Sequence, residues 1–141
     1  MNEEDLKKRT KQFALRIMKL VAALPKSIEG RVVGNQLIRS GTSVGANYRA
    51  ACKGRSKAEF IAKLGILEEE ADESAYWMEL IIEGGLLKKR IVQPLLDESN
   101  EIVAIMAASR KSASGFTSKL KEHEESSKMK NRNSEIKNRK L

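Results

Sequence analysis

The chain has one cysteine (Cys52), one histidine (His123) and two prolines in 141 residues. A single cysteine rules out an internal disulfide framework and suits a reducing compartment. One histidine and one cysteine cannot make a His/Cys metal cluster, nor a Ser–His or Cys–His nucleophile within the body of the chain. Aromatic residues are few: three Phe, two Tyr and one Trp. Base stacking can therefore contribute little to any nucleic-acid contact. No apolar run approaches the ~20 residues of a membrane span, and the N-terminal MNEEDLKKRT has no apolar signal core, so a cytoplasmic location is expected. No stretch alternates apolar and polar residues, which argues against a sheet.

What is present is charge and helical periodicity. The net charge is +8, a balance that favours nucleic acid, an anionic membrane or an acidic protein as partner. Residues 1–55 carry net +8, residues 56–87 net −6, residues 88–116 net +2 and residues 117–141 net +4. The total thus hides a strongly acidic segment beside basic ones.

Four helices are predicted. The first spans about Glu4 to Leu24, with Leu6, Phe13, Ile17, Leu20 and Leu24 on one stripe, and ends at Pro25. The second runs from an N-cap at Ser27 to about Lys53, with Val33, Leu37, Val44, Tyr48 and Cys52 inward. Gly30, Gly34, Gly41 and Gly45 form two pairs spaced by four, so another backbone can approach, and a kink is expected around Gly41-Thr42-Ser43. The third starts at a Ser56/Glu59 capping box and stops at Gly84-Gly85, with Phe60, Leu64, Leu67, Ala71, Ala75, Met78 and Ile82 inward. The fourth begins at Gln93-Pro94 and continues to about Ser118. Lys119 to Leu141 has few apolar residues and reads as a basic tail, helical at first and then disordered. The expected architecture is all-α: an antiparallel up-down four-helix bundle over 1–118 and a flexible tail over 119–141.

Candidate sites follow from helical wheels. Arg31, Arg39, Arg49 and Lys53 fall within about 80° of one another, nearly opposite the inner stripe of the second helix. With Arg55 they form a candidate phosphate-contacting surface, roughly 33 Å from Arg31 to Lys53. The alternative is a solvated outer face that happens to be basic. On the third helix, Ile66, Tyr76, Trp77 and Leu80 lie away from the core stripe, as an oligomer interface would. The alternative is a central helix buried on both sides. Its acidic residues either neutralise neighbouring helices or meet the basic face of another subunit in a ring. Asn47 flanks the inner stripe as a structural amide, with Glu or Ser of the third helix as its expected partners.

Two further patterns are weak. Glu68, Glu69, Glu70, Asp72 and Glu73 lack the E-x-x-H pairs of a di-metal bundle. Gly41-Thr42-Ser43-Val44-Gly45 lacks the G-K-[ST] ending of a phosphate loop and follows no strand. No metal, cofactor or catalytic residue is assigned.

Three runs carry a family resemblance: LIRSGTSVGANYRAA (Leu37–Ala51), RSKAEFIAKL (Arg55–Leu64) and EADESAYWMEL (Glu70–Leu80). Together they resemble the four-helix-bundle proteins encoded in 23S rRNA intervening sequences, over about Leu6 to Ser118. The resemblance implies small up-down bundles assembled into pentameric rings. A related branch, the accessory variability determinants of diversity-generating retroelements, implies a basic barrel associated with a reverse transcriptase and nucleic acid. Asn47, Tyr48 and Trp77 match structural positions of the family, and Arg39 and Arg49 match basic ones. Family members often carry Glu where this chain has Ala50. The resulting expectation is a non-enzymatic, cytoplasmic homopentamer that binds RNA or DNA phosphates without sequence specificity, through helices 1 and 2 and the tail. Its rival is an adaptor for a nucleic-acid-processing protein.

Overall fold

The starts of the first three helices are each held by a side chain that satisfies backbone N–H groups left orphaned there. The computed structural model describes residues 1–139 and has four helices among them: α1 (Glu3–Ala22), α2 (Ile28–Cys52), α3 (Lys57–Glu83) and α4 (Lys89–Arg139). Asn2 caps α1: the Asp5 N–H donates to its Oδ1 at 2.9 Å, and its own N–H donates to Asp5 Oδ2 at 3.3 Å. Ser27 caps α2 by accepting from the Gly30 N–H at 3.1 Å. Ser56 caps α3 by accepting from the Glu59 N–H at 3.1 Å. The Glu59 carboxylate returns to the Arg55 N–H at 3.1 Å, one residue earlier than the expected box would place it.

Chain reversal after α3 depends on Gly85, the one described residue with a left-handed φ, +68°. The Leu86 N–H donates to the Ile81 carbonyl at 2.9 Å and the Gly85 N–H to that of Ile82 at 3.1 Å. This is the 6→1 and 5→2 pairing of a Schellman stop. Helix α2 is continuous from Ile28 to Cys52, through Gly41-Thr42-Ser43. Helix α4 begins at Lys89, ahead of the expected Gln93-Pro94, so Pro94 lies inside it at an exposed position.

At its other end α4 runs to Arg139, where the sequence predicts a helix to about Ser118 and then a basic tail, helical at first and then disordered. No Gly or Pro follows Gly115, so nothing in the backbone chemistry stops propagation from the packed part of the helix. Lys140 and Leu141, the end of that expected tail, lie outside the described residues.

The helices pack as a bundle around one core. Phe13, Ile17, Leu37, Val44, Leu64, Leu67, Ala71, Met78, Ile102 and Met106 are sealed from solvent. Along α1 and α2, Thr10 faces Gly45, Ile17 faces Gly41, and Val21 and Leu24 face Gly34. The pairs run in opposite directions along the two helices, and the glycines permit the close approach. A Cβ at Gly41 would lie 2.7 Å from Ile17 Cγ1, and one at Gly45 3.3 Å from the Thr10 carbonyl.

Short hydroxyls occupy the remaining close contacts. The Ser40 and Ser74 hydroxyls lie 2.8 Å apart between α2 and α3, with Ser74 also 2.9 Å from the Glu70 carbonyl. Ser99 of α4 donates to the Ala71 carbonyl at 2.6 Å, and Thr10 to that of Leu6 at 2.8 Å. All four are buried and partnered, as buried hydroxyls must be to avoid a desolvation penalty.

Candidate nucleic-acid interface

The α1–α2 register sets the first turns of α1 against the last turns of α2. Lys7, Lys8, Lys11, Arg49 and Lys53, with Glu4, line a surface groove of about 340 Å³ there. Lys7 is held by Glu3 and Glu4, each at 3.3 Å, and its pKa is raised chiefly by hydrogen bonds to those two carboxylates. Lys8, Lys11, Arg49 and Lys53 are exposed and make no ion pair among the described residues. Arg55 is exposed in the turn that follows α2. Like charges held this close in a concave surface focus a positive potential outward. Lys8 and Lys11 were not in the predicted set, because a wheel of one helix does not show which edge of α2 the first helix covers.

The rest of the predicted cationic set is dispersed. Arg31 is exposed near the start of α2, at the opposite end of the helix from Lys53. Arg39 was expected on the same open face and is instead a cross-link to α3. Its guanidinium lies 3.2 Å from Glu70 Oε2 and hydrogen-bonds Glu73, and the Glu70 charge, then the Glu73 bond, raise its pKa. The wheel puts Arg39 at the α3 edge of that face, within reach of α3's acidic stripe.

Helix α3 is therefore partly neutralised within the chain. Glu68 receives Arg110 of α4 at 2.9 Å, while Glu70 and Glu73 hold Arg39. Glu69, Asp72, Glu79 and Glu83 are exposed and form no ion pair among the described residues. Their helix also shows an apolar strip. Ile66 is 41% and Tyr76 52% exposed, and Leu80 is half-buried. Trp77 packs against the core and meets Tyr76 edge-to-face at 5.2 Å between ring centroids, with its indole N–H buried and unpartnered. Exposed Ile28 and Val32 of α2 escaped the sequence reading because neither belongs to the inner stripe.

Asn47 does not reach α3. Its amide donates to the Ser43 carbonyl of its own helix at 2.9 Å. The buried polar link between α2 and α3 is Ser40–Ser74 instead.

Tyr48 is buried at this end of the bundle. Burial, then the neighbouring Cys52 thiol, pushes its phenol well above the ordinary 10.0, and burial likewise raises Cys52. An unfolded chain releases the phenol proton near pH 10 and the folded chain retains it. The Tyr48 contribution is thus complete below about pH 10 and lost as pH rises beyond it. Urea denaturation between about pH 8 and 11 should show a shallower alkaline loss for Tyr48→Phe than for wild type. An identical pH slope in both proteins contradicts this assignment.

Among the described residues no group of three His, Cys, Asp or Glu is placed to hold a metal ion. None of the described helices is long and apolar enough to cross a membrane.

The family model for the 23S rRNA-intervening sequence protein matches residues 2–108. The chain belongs to that family. A crystal structure of a protein of unknown function from the S23 ribosomal protein family of Bacteroides thetaiotaomicron VPI-5482 is similar, with 35% identity and a TM-score of 0.73. The match covers 79% of this chain and 99% of the Bacteroides protein. A comparison with curated proteins gave no match. Family membership supports the bundle and leaves its role to be argued from surfaces.

Proposed function

We propose that this member of the family is a non-enzymatic, cytoplasmic up-down bundle that self-assembles, as a pentamer, and binds RNA or DNA through phosphate contacts. The supporting observation is the convergence of Lys8, Lys11, Arg49 and Lys53 on one groove, with no ion pair to a carboxylate among the described residues. Such a surface reads charge and spacing rather than base identity. Arg55 extends it, whereas Arg39 is spoken for by Glu70 and Glu73.

Binding should weaken steeply with salt, because each neutralised phosphate releases counterions. In filter binding, Lys8→Gln/Lys11→Gln/Arg49→Gln/Lys53→Gln should lower the log K against log salt slope by about 3, at ~0.7–0.9 per contact. A wild-type slope near zero, or absence of binding in dilute buffer, rejects the proposal.

Self-assembly uses α3. Its exposed Ile66 and Tyr76 lie on the same helix as Glu69, Asp72 and Glu79, which form no ion pair among the described residues, and an apolar strip rimmed by carboxylates suits a contact with another copy that leaves the α1–α2 groove open. A head-to-tail contact through this face gives a ring where its rotation closes, and we take that rotation to close at five copies. Native mass spectrometry should give about five times the 15.8 kDa chain, and Ile66→Glu/Tyr76→Glu should give a monomer. A monomeric wild type refutes this interface.

A further inference from the structure

Helix α4 has 51 residues, whereas α1 has 20 and α3 has 27. Ala108, Ser109, Ser112 and Ala113 lie in a groove against Lys57 and Phe60, the first turn of α3. Past that level α3 has nothing further to offer, so α4 leaves the bundle near Gly115. The family match ends at residue 108, and 79% of this chain already accounts for 99% of the Bacteroides structure. The extension is an addition to the family fold.

Its composition and surroundings agree on what it contacts. Residues 122–132 are exposed without exception, and even Met129 is 65% exposed, so the segment is no core element. From Lys128 to Lys140 the chain has six basic residues and one acidic. Helix α4 departs at the end of the bundle where α2 stops and α3 starts. That end carries Arg49, Lys53 and Arg55, and, through the α1–α2 register, Lys8 and Lys11. Residues 116–127 hold two basic and three acidic side chains, so a cationic groove and a rod with a cationic outer half leave from one end of the molecule. From residue 116 to 139 the helix adds roughly 35 Å of reach at 1.5 Å per residue.

We infer that the α4 extension is a second phosphate-binding arm, which engages the same nucleic-acid strand as the α1–α2 groove. The inference rests on the nucleic-acid reading and deepens it. The arm lengthens the contacted tract and adds about as many charge contacts as the groove supplies. Two phosphate-binding elements on one chain act on a single strand at high effective concentration, so their contributions multiply.

The test uses full-length protein with Lys128→Gln/Arg132→Gln/Lys137→Gln/Arg139→Gln, the groove variant above, and the two combined. The probes are a labelled single-stranded RNA of about 20 nucleotides and a DNA duplex of similar length, titrated by anisotropy between about 50 and 300 mM KCl. The arm variant should lose about 3 from the salt slope and bind about 10–100-fold more weakly near 100 mM, with the combined variant weaker than either. Its thermal midpoint should equal that of wild type, since residues 122–132 are exposed throughout. An unchanged slope in the arm variant, with the groove variant still impaired, overturns the arm and leaves the groove in place. Failure of the wild type to bind either probe overturns both. A changed native mass with an unchanged slope assigns the arm to self-assembly and also overturns the inference.

Discussion

Gly30→Ala is expected to destabilise the fold by about 2 kcal/mol and to lower the thermal midpoint by roughly 7 °C. A Cβ at Gly30 would lie 2.0 Å from the Pro25 carbonyl oxygen and 3.1 Å from its carbon. The obstacle is backbone, so no rotamer change relieves it. The Ala23–Ser27 turn must open, and with it the Ser27 cap to the Gly30 N–H at 3.1 Å. Loss of a cap costs about 1 kcal/mol and overpacking typically 1–3 kcal/mol more, against about 1 kcal/mol gained from alanine's helix propensity. Gly115→Ala is the matched control, because nothing lies within 4 Å of its added Cβ. It should leave the midpoint unchanged or slightly higher. Differential scanning calorimetry on both variants decides the matter, and equal midpoints would remove the steric argument.

The two glycines differ in a way the sequence alone does not record. Spacing by four indicates that a backbone approaches α2, and Gly34, Gly41 and Gly45 do face α1. Gly30 belongs to the same series, yet its constraint comes from the turn preceding its own helix. The core stripes were legible for a simple reason: Leu6, Phe13, Ile17, Leu20 and Leu24 repeat with the helical period, and all are buried. Likewise, Ser27, Ser56 and Gly84-Gly85 mark helix ends through local chemistry that needs no tertiary partner. The Asn2/Asp5 box gives no such signal, because it lies ahead of the apolar period that opens at Leu6. Pro94 misled in the other direction, since proline favours first turns and the start at Lys89 carries no sequence signal.

Sites were harder than stripes. The wheel placed Arg39, Arg49 and Lys53 together, but a wheel does not say which neighbour lies along each edge. The α3 edge supplies Glu70 and Glu73, which capture Arg39, while the α1 edge supplies Lys8 and Lys11, which reinforce Arg49 and Lys53. Two edges of one predicted face thus have opposite electrostatic character. The buried seam of Ser40, Ser74, Ser99 and Thr10 was invisible for a related reason. Short hydroxyls satisfy themselves on nearby helix carbonyls, so nothing in composition separates them from exposed ones.

The same dependence on pairing predicts how the bundle closes. Helix α1 meets α4 through Arg9, whose Nε lies 2.9 Å and Nη2 2.6 Å from the two oxygens of Glu98. The arginine and glutamate side chains are only 21% and 15% exposed. Hydrogen bonding to Glu98 raises the Arg9 pKa further, so the guanidinium stays charged throughout the range in which the protein folds. Glu101, at 2.9 Å but 66% exposed, adds little through solvent screening. Arg9→Met keeps most of the packing stem and leaves Glu98 unpaired in a largely covered site. Uncompensated buried charge costs about 3–5 kcal/mol when sealed, so roughly 2 kcal/mol is expected at this partial exposure. Glu98→Gln alone should cost less, because an amide still accepts from arginine. The double variant Arg9→Met/Glu98→Gln should recover most of the loss, since it leaves no charge stranded. Urea denaturation of the four proteins gives the coupling energy, expected near 2 kcal/mol. Additive effects would mean that α1 is held to α4 by apolar burial alone and that the forked contact is incidental.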